Sequence, residues 1–412
     1  MAKKKKSGQA GASGYAGETP DAADASEDSW RSVQPWLLRQ GGKADVQKVT
    51  LEADKERRVV AAADLKKGEP LFHIPQHLWF TAAGLTSHEA GRLALKWAAK
   101  PPSEIGLSHE HVELCLLALL LLLEKAARQS RWAEYISALP WSARLPLTWS
   151  PAEMSRLRGA APQWQIEEKQ KQLESAFSSL SACLKGQAAA ELKAASPSSS
   201  DFILAFSLAH SRAMGISSDG EGRQWRLAML PFADMLNHSS APEVDWDVVQ
   251  TKEGLCAVFR ACRDAAKGSE LHISYKRAAS AQAFFATYGF IEDSQKVTPS
   301  ELRLEPWSGP GAGETVSALS VASLRHLLSL FRAQEVGAEF AAARFPLSQA
   351  SELAALTKLR SCLRDRLASA EAAEAVEAEA VGAVVRLREA DTLAWRRLET
   401  FASKALQDIE QA

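Results

Sequence analysis

The sequence has few cysteines and none in the spacing of a metal site. Its five cysteines, at positions 115, 183, 256, 262 and 362, form no Cys-x-x-Cys pair. This argues against a disulfide framework and against a four-cysteine zinc site, and it fits a reducing compartment. The cysteines, His238 and His272 also match no metal-ligand pattern, so we predict no metal.

Net charge and long apolar runs are lacking as well. The formal net charge is −1, so no global field draws the chain to nucleic acid or to an anionic membrane. The apolar run at residues 114–123 is about half of the ~20 residues that a membrane-spanning helix needs. We therefore predict a buried helix there, and we expect neither a nucleic-acid nor a membrane partner.

The first 28 residues have almost no apolar anchors and are rich in Gly, Ala, Ser and acidic residues. Such a segment cannot offset the entropy lost on ordering, so we predict a disordered tail over residues 1–28. The basic run at residues 3–6 is a nuclear address, an anion patch or simply part of a solvated tail. The acidic residues that follow argue against a transit peptide. We therefore favour the cytoplasm or nucleus and leave the chloroplast open.

The length of 412 residues favours two domains, and the 46% apolar content supports a proper core. Apolar periodicity predicts a mixture of helices and strands. Strands are predicted at 46–51, 59–63 and 70–75, and helices at 30–40, 114–123, 166–173 and 202–214. Beyond residue 304 the composition shifts to Ala, Leu, Glu and Arg, which predicts helices at 316–331, 348–370 and 372–409.

The stretch at residues 230–291 combines strand-like runs with an unusual polar cluster. Asn237, His238 and the serine after them follow the apolar Leu230-Pro231-Phe232 entry, and short strands are predicted at 244–249, 255–260 and 271–275. Buried polar groups need partners. The cluster is therefore a candidate functional site.

Three segments of this stretch resemble a known family. The segments P-F-A-D-M-L-N-H-S, G-S-E-L-H-I-S-Y and Y-G-F-I-E-D are similar to the C-terminal half of a SET domain of the Rubisco large-subunit lysine methyltransferase-like branch. The resemblance implies an α+β fold. A β-rich SET domain would occupy residues 29–293, with a helical insert at about 85–225, and an all-α domain at 300–412 would present the protein substrate.

The resemblance also implies an activity and its residues. It implies a protein-lysine N-methyltransferase that uses S-adenosyl-L-methionine, with Tyr275 as the catalytic residue. Arg212, Asn237, His238 and Tyr275 would bind the cofactor, and Asp234, Trp246, Tyr288 and Phe290 would contact the substrate. Asp234 fits a role in orienting or capping its loop equally well. A tyrosine suits such a site because its ring is apolar and its hydroxyl is one directed partner.

One departure from the family keeps other functions open. Glu56 and Arg58 stand where the family has a glycine pair, and glycine is used where a ligand approaches the backbone closely. A non-catalytic SET-like protein that binds a partner is therefore an alternative, as is a protein-histidine N-methyltransferase. A nucleic-acid adaptor is disfavoured by the net charge. We expect a monomer that acts on a protein bearing a lysine or a histidine.

Overall fold

The structure is a computed structural model that describes most of the chain between residues 29 and 411. The described residues are 29–45, 49–53, 57–100, 105–157, 160, 162–195, 198–217, 225–275, 280–292, 297, 302–303, 315–316, 349–375 and 382–411. The predicted tail, Glu56 and nearly all of the predicted helix at 316–331 lie outside these residues.

The N-terminal part begins with a predicted helix and continues as strands. A 3-10 turn, Trp30–Ser32, leads into α1, Val33–Arg39. The chain then reverses at Gly41, which has φ +89°, a conformation that glycine adopts without a steric penalty. Four strands follow: β1, Lys43–Ala44; β2, Val49–Ala53; β3, Arg57–Ala61; and β4, Pro70–Pro75.

Seven more strands complete the part of the chain that is predicted to resemble a SET domain, hereafter the SET region. They are β5, Phe80–Thr81; β6, Ala213–Ser217; β7, Trp225–Met229; β8, Asn237–His238; β9, Val244–Thr251; β10, Gly254–Ala261; and β11, His272–Ile273. The sheets have the orders β1-β4-β10-β9, β5-β7-β6, β2-β3 and β11-β8. The structure thus contains several small sheets rather than one large sheet.

A stack of aromatic rings fills the core beside the largest sheet. Phe259 on β10 lies opposite Phe72 on β4 and Trp246 on β9. Its ring centroid is 4.4 Å from that of Phe72 and 5.7 Å from that of Trp246. Offset or tilted packing of this kind adds to the burial of large apolar area, so the stack fixes the register of the three strands.

Helices separate β5 from β6, as the predicted insert requires. They are α2, Glu89–Ala98; α3, His109–Ala126; α4, Ala133–Ser137; α5, Pro151–Met154; α6, Pro162–Cys183; α7, Gln187–Ala195; and α8, Ser199–Arg212. The leucine-rich run lies inside α3 and is buried, which confirms the predicted buried helix. None of the helices in the described ranges is long and apolar enough to cross a bilayer.

The end of α8 differs from the sequence-based prediction. The predicted helix at 202–214 stops at Arg212, and Ala213 begins β6. Ala213 and Met214 pair with Met229 and Ala228 of β7, so the backbone hydrogen bonds of the strand replace those of a further helical turn. Arg212 therefore stands at a junction between the helical insert and a sheet.

The C-terminal region is mainly helical, with one correction to the all-α prediction. After α9, Ala281–Tyr288, two short strands pair: β12, Leu302–Arg303, and β13, Thr315–Val316. Val316, the predicted start of a helix, is thus in a strand, where β-branched residues fit well. Two long helices follow: α10, Gln349–Ala375, and α11, Gly382–Gln411.

The two long helices contribute side chains to two hydrophobic clusters. The first turns of α11 contribute Val384 and Leu387 to the core of the SET region. Further along, α10 and α11 pack on each other through a separate cluster that contains Leu363 and Trp395. The helix α11 is therefore anchored at one end in the SET region and at the other in the helix pair.

Candidate functional site

The candidate site begins with a strained bend at Phe232. Its φ is +77°, and within the described ranges it is the one residue other than glycine with a positive φ. The ring is fully buried and packs edge-on against Phe72, with centroids 4.9 Å apart. The amide of Asp234 donates to the carbonyl of Leu230 at 3.0 Å. Packing thus holds a costly backbone conformation, and this bend leads the chain into β8.

A parallel pairing between β8 and β11 brings the two ends of the central stretch together. Asn237 lies opposite His272, and His238 lies opposite Ile273. Tyr275, two residues beyond this pair, folds back over β8. Its hydroxyl donates to the carbonyl of Leu236 at 2.8 Å. The tyrosine hydroxyl and the Asn237-His238 segment therefore form one unit.

The ring of His238 is fixed in one orientation. Its Nδ1 accepts a hydrogen bond from the backbone amide of Tyr275 at 3.1 Å, so the neutral ring carries its proton on Nε2. That nitrogen lies 3.5 Å from Oε1 of Glu292. Burial lowers the pKa of His238, and the Glu292 carboxylate opposes part of the shift. His238 is thus a neutral wall of the site.

Aromatic rings surround His238. Tyr288 ends α9, and Gly289 follows in the left-handed region with φ +81°, which turns the chain so that Phe290 returns to the same side. Ring centroids are 4.9 Å apart for Tyr275 and Tyr288, and 6.4 Å apart for His238 and Phe290. Phe290 is 40% exposed. These rings form a partly open aromatic wall.

Burial keeps the two tyrosine hydroxyls neutral. It raises the pKa of Tyr275, against the opposing effect of Arg212 and Arg57. It also raises the pKa of Tyr288, with a further contribution from Tyr275. Both phenols therefore remain protonated at neutral pH. They can donate hydrogen bonds and line a channel, but they are not bases.

Two arginines and one carboxylate are buried beside Tyr275. The guanidinium of Arg212 donates from Nη1 to the backbone carbonyl of Asp234 at 2.8 Å and lies 3.5 Å from its Oδ2. Burial, and then the charge of Arg212, lower the pKa of Arg57 to about 10. Within the described part of the chain, Nε of Arg57, Nε of Arg212 and Oδ1 of Asp234 are buried with no hydrogen-bond partner. The group thus has an excess of positive charge and unused donors.

The side chain of Asn237 is held by a line of polar contacts. Its Nδ2 donates to Oε1 of Glu270 at 2.8 Å and to the carbonyl of Arg57 at 3.2 Å. His272 lies between two carboxylates, with Nδ1 2.9 Å from Glu243 and Nε2 3.5 Å from Glu270. This line connects Asn237 to the loop that precedes β9.

The side chains of two predicted substrate residues make contacts within the protein. Trp246 stacks on Phe259 in the core, and among the described residues it has no recorded ring contact with Tyr275 or Tyr288. Asp234 has a side chain with 0% exposure, and its Oδ2 accepts a hydrogen bond from Tyr135 at 2.8 Å. Direct substrate contact by either residue stays a prediction. The loop-orienting role considered for Asp234 agrees with these contacts.

The sequence interpretation missed several residues of the site. Arg57 lies between the two positions that replace the family's glycine pair, so its neighbourhood was marked but the residue itself was not. Tyr135 is one of only four tyrosines in the chain, which was an available signal. Glu270 and Glu292 gave no signal, because a carboxylate in a polar segment is usually solvated.

The buried group fits the amino-acid end of S-adenosyl-L-methionine. A carboxylate at this place would neutralise the excess charge of Arg57 and Arg212 and would give their buried Nε–H groups acceptors. An ammonium would meet the free Oδ1 of Asp234. Arg58 is the feature that fits less well, because a long side chain stands on β3 where a glycine is expected. No group of three or more His, Cys, Asp or Glu side chains that could hold a metal is present in the described ranges.

Two comparisons with proteins of known sequence agree on one branch of enzymes. A fructose-bisphosphate aldolase-lysine N-methyltransferase, chloroplastic, of Arabidopsis thaliana is 26% identical over 310 residues, which cover 72% of this chain and 59% of that protein. A chloroplastic Rubisco large-subunit N-methyltransferase of Nicotiana tabacum is 25% identical over 257 residues, covering 60% and 48%. The chain thus spans about half the length of these relatives.

Solved structures show the same fold. A SET domain of LSMT bound to lysine and AdoHcy has a TM-score of 0.66 at 17% identity, covering 93% of this chain and 92% of that chain. Rubisco LSMT bound to AdoMet has a TM-score of 0.63 at 16% identity, with 93% of each chain covered. The sequence model of the SET domain family matches residues 56–276, which are more than half of the sequence. The chain therefore belongs to the SET domain family.

Proposed function

We propose that this protein is an S-adenosyl-L-methionine-dependent protein-lysine N-methyltransferase. The observation that carries the proposal is the joint placement of a neutral tyrosine hydroxyl, an aromatic wall and an unbalanced arginine pair. Tyr275 bonds to Leu236 beside His238, and Arg57 and Arg212 lie close by with unused donors. The relatives named above are lysine N-methyltransferases, which favours lysine over histidine as the acceptor.

The residues divide the work of holding the cofactor. Arg57 and Arg212 would bind its carboxylate by charge-assisted hydrogen bonds. Asn237, whose amide is fixed by Glu270, and His238 would hold the remaining polar groups. The cofactor, when bound, supplies a methyl group on a sulfonium sulfur. Arg212 ends α8 and Arg57 begins β3, so two separate elements position the arginine pair.

The aromatic wall prepares the substrate amine. A lysine ammonium has no lone pair and a reference pKa of about 10.4, so its proton must leave before reaction. Burial between Tyr275 and Tyr288, next to two guanidinium groups, disfavours the charged amine and lowers its pKa. The neutral phenols can accept a hydrogen bond from the amine and point its lone pair along the channel. Catalysis here is mainly positioning.

Arg58 motivates a second candidate, a SET-like protein that binds a partner without catalysis. Arg58 lies in the β2–β3 ladder opposite Glu52, at a position where the family has a glycine, which would leave more room for a ligand. Titration calorimetry with S-adenosyl-L-methionine separates the two candidates. Measurable heat with one site supports the enzyme, and its absence supports the binding protein.

The substrate and compartment are proposed from the names of the relatives. Two of them carry the words aldolase and Rubisco large subunit, and both are called chloroplastic. We propose these two proteins as the first substrates to test and the chloroplast as the first compartment to test. The cytoplasm or nucleus, favoured by the cysteine pattern, the basic run at residues 3–6 and the acidic residues that follow it, is the alternative compartment.

The deciding experiment is methyl transfer with an isotope-labelled cofactor. Purified aldolase, Rubisco and an algal or plant lysate are incubated with the full-length protein, and the modified residue is mapped by mass spectrometry. Label on a lysine supports the proposal, and label on a histidine supports the other acceptor. Absence of label in every sample, together with absence of cofactor binding, would show that the chain is not a methyltransferase.

A further inference from the structure

A cleft of about 810 Å³ lies on the side of the insert, between α2, the start of α3 and the β6–β7 hairpin. Its apolar lining includes Trp79, Ile216 and Trp225, and its polar lining includes Glu110 and Glu113. Trp225 is 61% exposed, which is unusual for the largest aromatic side chain. Its ring lies over Gly215, where a Cβ would come within 3.8 Å of the indole.

Among the described residues that line the cleft, carboxylates outnumber guanidinium groups. Glu113 accepts a hydrogen bond from the backbone amide of Leu227 at 3.1 Å, and burial raises its pKa. Neither Glu110 nor Glu113 forms an ion pair with any residue that the structure describes. Arg226 is the one Arg or Lys among the described lining residues; it donates to the carbonyl of Trp225, and its charge opposes part of the rise in the pKa of Glu113. Two carboxylates thus face one guanidinium.

One carboxylate of the cleft acts electrostatically on the aromatic wall. The charge of Glu110 is close enough to contribute to the raised pKa of Tyr288, after burial and Tyr275. Ile216 follows Arg212 by four residues along β6, which is about 13 Å of extended chain. The strand that begins directly after Arg212 therefore also lines the cleft.

We propose that this cleft binds an arginine or lysine of the substrate segment that flanks the methylated lysine. The inference rests on the proposed function. A cationic side chain would lie against the exposed face of Trp225, where the ring attracts it, with its charge between Glu110 and Glu113. The apolar lining would pack on its methylene groups. The protein would thus select lysines that have a basic neighbour.

The test measures binding directly, so it does not depend on activity. Fluorescence anisotropy is recorded with a labelled peptide of alternating glycine and arginine, and with the same peptide carrying citrulline in place of arginine. The citrulline peptide keeps the shape and removes the charge. The full-length wild-type protein should bind the arginine peptide about tenfold more tightly, as expected for close charge pairs. Glu110→Gln/Glu113→Gln should remove most of this difference.

A charge-matched control separates the cleft from the surface charge. Glu89 on α2 and Glu174 on α6 lie outside the cleft lining, so Glu89→Gln/Glu174→Gln should keep the preference. Trp225→Ala should weaken binding of both peptides. Equal binding of the two peptides by the wild type, or a preference that survives in the Glu110/Glu113 variant, overturns the inference.

A second arm separates this inference from the proposed function. Peptides with one lysine and one arginine at varied distance are tested as methyl acceptors with the same variants. Methyl transfer without any arginine preference would overturn the cleft assignment and leave the methyltransferase standing. An anisotropy difference without methyl transfer to any peptide or protein would overturn the methyltransferase and leave the binding of a cationic side chain in the cleft standing.

Discussion

At the scale of single residues, the chemistry depends on hydroxyls that stay protonated. Tyr275 donates to the carbonyl of Leu236, so its oxygen has lone pairs left to accept a bond from a substrate amine. Tyr288 lies beside it and is also neutral because burial raises its pKa. The site thus combines neutral phenols with guanidinium groups that are charged at neutral pH.

Tyr275→Phe should reduce kcat strongly while the cofactor still binds. The substitution keeps the ring and removes one preorganised polar partner, whose loss typically costs on the order of a hundredfold in kcat. Single-turnover methyl transfer gives the rate, and calorimetry gives the cofactor Kd, which should change less than about threefold. Turnover equal to that of the wild type would remove Tyr275 from the catalytic role.

The rate should rise with pH in the range where a substrate amine loses its proton. A raised pKa of an acid means that its neutral form persists to higher pH, so Tyr275 and Tyr288 stay neutral beyond their ordinary value of about 10. We therefore expect kcat/KM to increase from about pH 7 to about pH 9 without a decline. A bell-shaped pH profile of kcat/KM that declines between about pH 7 and about pH 9 would contradict the assignment of neutral phenols.

At the scale of elements, short strands and turns position these side chains. The pair β8–β11 has only two residues in each strand, so its geometry relies on side chains as well as on backbone hydrogen bonds. His272 supplies this support between Glu243 and Glu270, and Glu270 holds Asn237. His272 is thus a positioning residue for Asn237.

His272→Phe should raise the cofactor Kd several-fold with little effect on the rate at saturation. Without the imidazole, Glu270 is free to turn away, and Asn237 loses its fixed orientation. His272→Asn keeps a donor towards Glu243 and should restore part of the affinity. A loss of stability with unchanged cofactor Kd would show that the residue is structural only.

Gly289→Ala should destabilise the fold and disturb the aromatic wall. The residue has φ +81°, and an added Cβ would lie 3.4 Å from Cδ of Pro146. The left-handed conformation alone costs about 1 kcal/mol for alanine. Gly68→Ala is the matched control, because Gly68 has φ +89° but nothing within 4 Å of the added atom. Denaturant unfolding should show a lower free energy of unfolding for both variants, and only Gly289→Ala should lose activity.

How much of this was predictable from the sequence varies by element. The leucine-rich helix, the strands of the β9–β10 hairpin and the Asn237-Tyr275 association follow from periodicity and motif. The end of α8 and the strand at Val316 did not, because pairing with distant strands decides them. The roles of Arg57 and Tyr135 also depend on tertiary contacts, which no local pattern encodes. The Tyr135–Asp234 hydrogen bond and the stacking of Trp246 on Phe259 are likewise tertiary contacts that the motifs did not predict.

At the scale of the whole molecule, the two clusters of α11 predict two distinct kinds of destabilisation. Leu387 is fully buried in the core of the SET region, and Leu363 is fully buried between α10 and α11. Each leucine-to-alanine change should cost about 2–5 kcal/mol. Hydrogen exchange should show increased opening of the SET strands for Leu387→Ala, and of the helix pair alone for Leu363→Ala. The same exchange pattern for both would argue against two clusters.

The contacts of Glu292 join the C-terminal helices to the reaction chamber. Its backbone carbonyl accepts a hydrogen bond from Arg386 of α11 at 3.0 Å. Its carboxylate accepts from the amide of Ser240 at 2.7 Å and faces His238. A change in the tilt of α11 would displace Glu292. It would thereby shift the imidazole of His238, which accepts a hydrogen bond from the backbone amide of Tyr275. The position of α11 is thereby linked, through Glu292, to the orientation of His238.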